Sequence, residues 1–228
     1  MQLLRQRRAV LCNIHKLLTI KRLKNVEIIV FDLYNTLIKI KEKGSESYFR
    51  AIFNQIKNEL NLSPSIFFEQ VLTTNLDDLI KRWPRSFEHA IRDNKHLLQQ
   101  EIKSVEKFEE TQEVLLNLSK MYPLFLISNL ATPYKQGYYD SDIDQYFEKA
   151  IFSCDVGLKK PNKDIFKIIE NETGKSNDQI LMIGDSTQAD IEGPRRLNWN
   201  TILINRSRNR YDKHFHQISS LNEIRQIL

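Results

Sequence analysis

Four short stretches hold the residues whose types and spacing could do chemistry, and each follows an apolar run. Asp32-Leu33-Tyr34-Asn35-Thr36 follows Ile-Ile-Val-Phe, and Ser128-Asn129 follows Leu-Phe-Leu-Ile. Lys159-Lys160-Pro161 comes shortly after a run ending at Ser153, and Gly184-Asp185-Ser186, with Asp190 close behind, follows Ile-Leu-Met-Ile. Together they supply a carboxylate nucleophile, hydroxyl and amide donors, an ammonium, and an acidic pair able to hold a metal. A carboxylate attacking an anionic group meets like charge, so a cation and a lysine are needed beside it. Mg²⁺ prefers oxygen ligands, commonly one or two carboxylates with waters and substrate oxygens, and Asp32 and Asp185 could be those carboxylates.

These residues gather only if the runs before them are neighbouring strands. Residues 26–37 read as a strand buried on both faces, which implies a parallel sheet covered by helices. Runs of the same character recur at 122–127, 149–153, 179–183 and 201–204, with helical patterns at 109–120, 163–172, 190–197 and 221–228 between and after them. This alternation predicts an α/β, doubly wound, mainly parallel Rossmann-like sheet. Residues 45–107 break it: the patterns at 48–60, 65–80 and 87–102 are helical, and no strand is expected there. The segment reads as an inserted α-helical cap over the carboxyl edge of the sheet, where open α/β folds bind ligands. The expected organisation is a leader at 1–25, a core made of 26–44 and 108–228, and the cap at 45–107.

Asp-Leu-Tyr-Asn-Thr-Leu, Ile-Ser-Asn, Gly-Leu-Lys-Lys-Pro-Asn-Lys-Asp-Ile-Phe and Ile-Gly-Asp-Ser-Thr-Gln-Ala-Asp-Ile-Glu-Gly resemble, in order, the four signature motifs of the haloacid dehalogenase-like hydrolase superfamily. The resemblance covers about residues 27–205. It implies that Asp32 is a nucleophile forming a covalent aspartyl intermediate, that Thr36 orients the first loop, and that Ser128 hydrogen-bonds the transferred group with Asn129 beside it. It also implies that Lys160 neutralises charge on nucleophile and substrate. Asp185, with Asp32 and the backbone carbonyl of Tyr34, would bind Mg²⁺, and Asp190 would support the metal site or Lys160. The helical insertion corresponds to the small α-helical cap of one large subgroup.

Tyr34 departs from the phosphatase pattern. Phosphatases of this superfamily carry a second Asp there, which protonates the leaving oxygen and then activates water. A phenol with a pKa near 10 is a poor base at neutral pH, and loss of a general acid/base costs about 10²- to 10⁴-fold. A Tyr at this position is similar to the 2-haloacid dehalogenases, whose halide needs no proton. Those enzymes, however, work without metal and lack an acid equivalent to Asp185. Asp185 takes precedence, because an extra carboxylate facing Asp32 without a cation would place two like charges together and spoil the nucleophile. The first expectation is Mg²⁺-dependent phosphoryl hydrolysis or transfer on a small phosphorylated substrate whose leaving group departs unprotonated. Dehalogenation and a weakly active or non-catalytic binding descendant are the alternatives.

Composition sets the outer bounds. Of 228 residues, 41% are hydrophobic and 28% charged, with six Gly and six Pro, which are proportions of a folded chain with a sizeable core. Cys12 and Cys154 follow no metal or disulfide spacing, which suits a cytoplasmic protein. The net charge of +5 belongs to residues 1–25, whose seven cations face no acid, so nucleic acid is not an expected partner of the remainder. No apolar run approaches the roughly 18 residues of a membrane span. The leader's apolar residues recur at helical spacing and fit a docked helix, with membrane-surface contact, protein contact or organelle targeting as the other readings. Arg82, Trp83, Arg85, His89 and His96 in the cap are read as packing or solvated positions, as are Tyr134, Tyr138 and Tyr139. The basic tract 206–210, with Lys213, His214 and His216, is expected to be exposed.

Overall fold

The computed structural model describes residues 23–42, 44–206 and 215–228, so all but the end of the leader and most of the basic tract near 210 lie outside the described residues. Six parallel strands form the main sheet: β1 (Ile28–Phe31), β4 (Leu124–Ser128), β5 (Lys149–Phe152), β6 (Ile180–Gly184), β7 (Asn200–Ile204) and β8 (His216–Ile218). Their order is β5-β4-β1-β6-β7-β8, with β1 between β4 and β6. Side chains alternate across a strand. Ile29 and Phe31 therefore join one apolar layer with Leu126, Ile183 and the helix Thr111–Leu118, while Ile28 and Val30 join the opposite layer with Ile127, Met182 and the helix Lys163–Thr173. Both faces are covered, as the near-continuous apolar runs require. This is the expected Rossmann-like α/β fold.

Its boundaries differ from the sequence reading in ways that bear on the site. β1 ends at Phe31 rather than continuing to 37. The carbonyl of Leu33 accepts hydrogen bonds from the amides of Thr36, Leu37 and Ile38, so the chain turns sharply after Asp32. Leu33 and Leu37 are apolar because they are buried by packing, not because they belong to a strand. The chain then forms a short antiparallel pair, β2 (Ile38–Ile40) with β3 (Val105–Lys107), which places a strand inside the segment expected to be helical throughout. Strands of three residues are too short to show a period.

Residues 48–103 are otherwise helical. The helix Tyr48–Leu60 matches its expected span, whereas 65–80 divides into Pro64–Thr73 and Leu76–Arg82 and 87–102 lies across Arg85–Asp93 and Lys95–Lys103. Asn75 explains the first break: its side chain accepts from the amide of Asp77 and caps a new helix. These helices bury a cluster of their own, with Phe53 and Phe67 ring centroids 5.1 Å apart, Phe67 stacked on Trp83 at 5.4 Å, and Trp83 edge-on to Phe87 at 4.6 Å. Ala131 and Tyr134, from the loop after β4, complete that cluster. Among the described residues, no helix is long and apolar enough to cross a membrane.

Candidate active site

All the candidate chemical residues lie at or just beyond the carboxyl ends of β1, β4 and β6 or in the loop after β5. Asp32 directly follows β1, and its amide donates to the carbonyl of Ile183 at 2.9 Å, tying the turn to β6. Thr36 Oγ1 donates to Asp32 Oδ2 at 3.2 Å. Lys160 Nζ donates to Asp32 Oδ1 at 2.8 Å, to Asp190 Oδ1 at 2.6 Å and to the carbonyl of Ile127 at 2.7 Å, so all three ammonium protons are used. Lys160, Asp32 and Asp190 are all buried. The adjacent Lys159 instead pairs with Glu69 on the helix Pro64–Thr73.

Burial drives the Asp32 carboxyl upward, to about 7, with Asp190 and Asp185 adding to the rise and the Lys160 charge opposing it. For Lys160, burial works against the charged form, but the charges and hydrogen bonds of Asp190 and Asp32 outweigh it and hold the ammonium above its ordinary value. Asp185 is also raised, first by desolvation and then by Asp190, although the residue as a whole remains exposed. The carboxylates of Asp32, Asp185 and Asp190 each offer an oxygen within 4.8 Å of the others. Three converging acids with a single ammonium among them repel one another, and a divalent cation would relieve that repulsion. The donor set therefore fits Mg²⁺. Asp190 is already committed, since its second oxygen accepts from the amide of Ser186 at 2.9 Å. Gly184 permits this approach: a Cβ there would lie 2.4 Å from Asp190 Cγ.

Ser128 is the buried last residue of β4. Asn129 clamps the lysine loop, its Oδ1 accepting from the Lys160 amide and its Nδ2 donating to the Lys160 carbonyl, both at 2.8 Å. This places the Asn129 amide on the lysine rather than free beside Ser128. Tyr34 is partly buried and donates its hydroxyl to the carbonyl of Tyr134 at 2.9 Å. Its phenol is pushed well above the usual tyrosine value, first by burial and then by Glu101. Tyr134 in turn hydrogen-bonds the buried Glu101 of the helix Lys95–Lys103. Gly137 makes room for Tyr34, because a Cβ there would come 2.3 Å from the phenol oxygen.

Arg206 departs from the exposure expected of the basic tract, whose residues 207–214 lie outside the described residues. Its side chain is 17% exposed, and its guanidinium donates to the carbonyls of Asn35 and Thr36 at 3.2 and 2.5 Å and to Glu110 at 2.9 Å. The guanidinium also lies 3.3 Å from the centroid of the Phe108 ring. Arg206 thereby fixes the carbonyls of the first loop, including Asn35, which holds a left-handed φ of 63°. No local pattern marked it, since its partners lie 96 to 171 residues away. The side chains singled out in the helical segment behave as read: Trp83 packs, Arg82 and Arg85 are exposed, and His96 meets the carbonyl of Asp93.

The sequence model of the haloacid dehalogenase-like hydrolases matches residues 29–204, and the chain belongs to that family. It is 25% identical over 203 residues to a glyceraldehyde 3-phosphate phosphatase of Pyrococcus abyssi, covering 78% of this chain and 80% of that one. In structure it is similar to the HAD-hydrolase YfnB of Bacillus subtilis bound to magnesium, with a TM-score of 0.63, 17% identity, and 90% and 99% of the two chains covered. It is similar as well to a 2-haloacid dehalogenase of Pseudomonas syringae, with a TM-score of 0.61, 17% identity, and 89% and 97% covered. Phosphatase and dehalogenase share this fold, so the backbone alone does not select between them.

Proposed function

We propose that this hydrolase acts on phosphoryl groups through an aspartyl-phosphate on Asp32. The observation that carries the reading is the convergence of Asp185 and Asp190 on Asp32 within 4.8 Å, an acid-rich arrangement suited to a cation and an anionic substrate. Phosphatase-named and magnesium-bound relatives support it. Asp32, Asp185 and the backbone carbonyl of Tyr34 would hold Mg²⁺, which would supply positive charge to the phosphoryl oxygens. Lys160 opposes the upward push that burial gives the Asp32 carboxyl and offsets the charge of Asp190. Asn129 and Arg206 position the two loops, Thr36 orients Asp32, and Ser128 is the donor for the transferred group. Helices 48–103 would act as the cap of the expected subgroup.

Tyr34 does not supply the missing acid/base in this scheme. Its proton is engaged by the Tyr134 carbonyl and its pKa is raised, so it neither takes nor gives a proton readily at neutral pH. Aryl and acyl phosphates, whose leaving groups depart as anions, are the substrates this arrangement favours. Purified protein should release phosphate from p-nitrophenyl phosphate with Mg²⁺ and lose at least about 10⁴-fold of that rate in Asp32→Asn. Turnover unchanged by EDTA, or surviving in Asp32→Asn, would overturn the proposal. Halide release from a short 2-haloacid in EDTA would favour the dehalogenase reading.

A further inference from the structure

Beside the first loop lies a cavity of about 290 Å³ between the strand ends and the helices of residues 48–103. One wall comes from Tyr34 and Asn35, which follow Asp32 after one intervening residue, and from Asn129, directly after Ser128. The opposite wall is Phe49 and Phe68 with Val71 and Leu72. Among the described residues that line it, none is charged. Glu101, the nearby acid, is buried behind Tyr134 and hydrogen-bonded to its phenol.

Resting on the function proposed above, we infer that this cavity selects the leaving group, and that the group it takes is an uncharged aromatic one. A carboxylate or second phosphate placed here would leave water without a countercharge, whereas an aryl ring exchanges water for aromatic and aliphatic walls. Tyr34 belongs to that wall: with its hydroxyl fixed on the Tyr134 carbonyl and lodged over Gly137, it presents ring rather than acid. The substitution that removes a proton donor thus also supplies apolar surface. An aryl leaving group satisfies both conditions, since a phenolate departs without protonation and its ring suits the cavity.

The test uses the full chain with Mg²⁺ and two aryl phosphates whose phenols have similar acidity, 2-naphthyl phosphate and 4-carboxyphenyl phosphate. The KM for the naphthyl ester should be at least about tenfold lower. Leu72→Lys, at the half-buried rim where a long side chain can reach water, should narrow or reverse that ratio. Equal KM values in the wild type, or a Leu72→Lys variant that shifts both esters alike, would overturn the inference. Binding of 2-naphthol in preference to 4-hydroxybenzoate, followed by naphthol fluorescence, supplies a readout free of turnover. If naphthol binds selectively while neither ester is hydrolysed, the phosphatase reading fails and the cavity assignment stands. If both esters are hydrolysed while naphthol shows no preference over hydroxybenzoate, the cavity assignment alone fails.

Discussion

The strand ends and the helical segment 48–103 stabilise themselves by opposite means. At the strand ends, Lys160, Asp32 and Asp190 are buried charges, each held by named partners at 2.6 to 2.8 Å. In the helical segment, the interior is aromatic and aliphatic apart from Glu101, which accepts from the Tyr134 phenol, and its lysines and arginines lie on the outside. A buried ion pair often contributes little net stability, because desolvation cancels much of the attraction, yet removing one partner is costly. The strand-end charges are thus a poor way to build a core and a good way to pre-arrange a reaction. The helical segment is a good way to build apolar surface, and in the inference drawn from the cavity that surface recognises the leaving group of the substrate.

Lys160→Met should test this contrast most severely. It leaves two buried carboxylates without their ammonium, and urea unfolding should show a loss of about 3 kcal/mol or more. Lys159→Met, one residue away on the Glu69 pair, should change stability by no more than about 0.5 kcal/mol. Similar losses from the two would erase the distinction between buried and surface charge.

Tyr34→Asp moves an apolar wall toward the charged side of the comparison. Hydrolysis of an alkyl phosphate should rise by about 10²-fold, since a general acid/base would be restored. The advantage of an apolar aryl ester should shrink at the same time. Steady-state rates on both ester types separate the two effects, and an unchanged alkyl rate would show that proton transfer is not what the wild type lacks.

A smaller effect than that at Lys160 is expected at the back of the first loop. The Glu110 carboxyl is held below its ordinary value: burial pushes upward, but its backbone hydrogen bonds, Arg206 and Ser220 together prevail. A lowered folded pKa means that the stabilisation is complete above the ordinary value of 4.5 and is lost as the pH falls through the lower one. Glu110→Gln should therefore cost about 1 kcal/mol near neutrality and remove that part of the acid sensitivity. Chemical denaturation at a series of pH values from 7 downward would show the two curves converging. Parallel curves would mean that the Glu110–Arg206 contact does not depend on the carboxylate charge.

The chain's own order of residues was enough to establish the sheet, the helical insertion and the gathering of Asp32, Ser128, Lys160, Asp185 and Asp190. Each of those follows an apolar run, and parallel strands place their carboxyl ends together, so a local pattern implies a shared location. Residue order also separated Lys160 from Lys159, through the resemblance of the third motif. It did not reveal that Asn129 would be spent on the Lys160 backbone, that Arg206 would hold the first loop, or that the Tyr34 phenol would lodge between Tyr134 and Gly137. Nor did it show β2 and β3, or the breaks near Asn75 and Asn94. Those features depend on contacts between residues that are 31 to 171 positions apart, or on caps and turns that override a helical period. Periodicity reports which face of an element is buried. Only the assembled fold decides which polar atoms meet there, because a hydrogen bond depends on distances of tenths of an ångström that no spacing along the chain encodes.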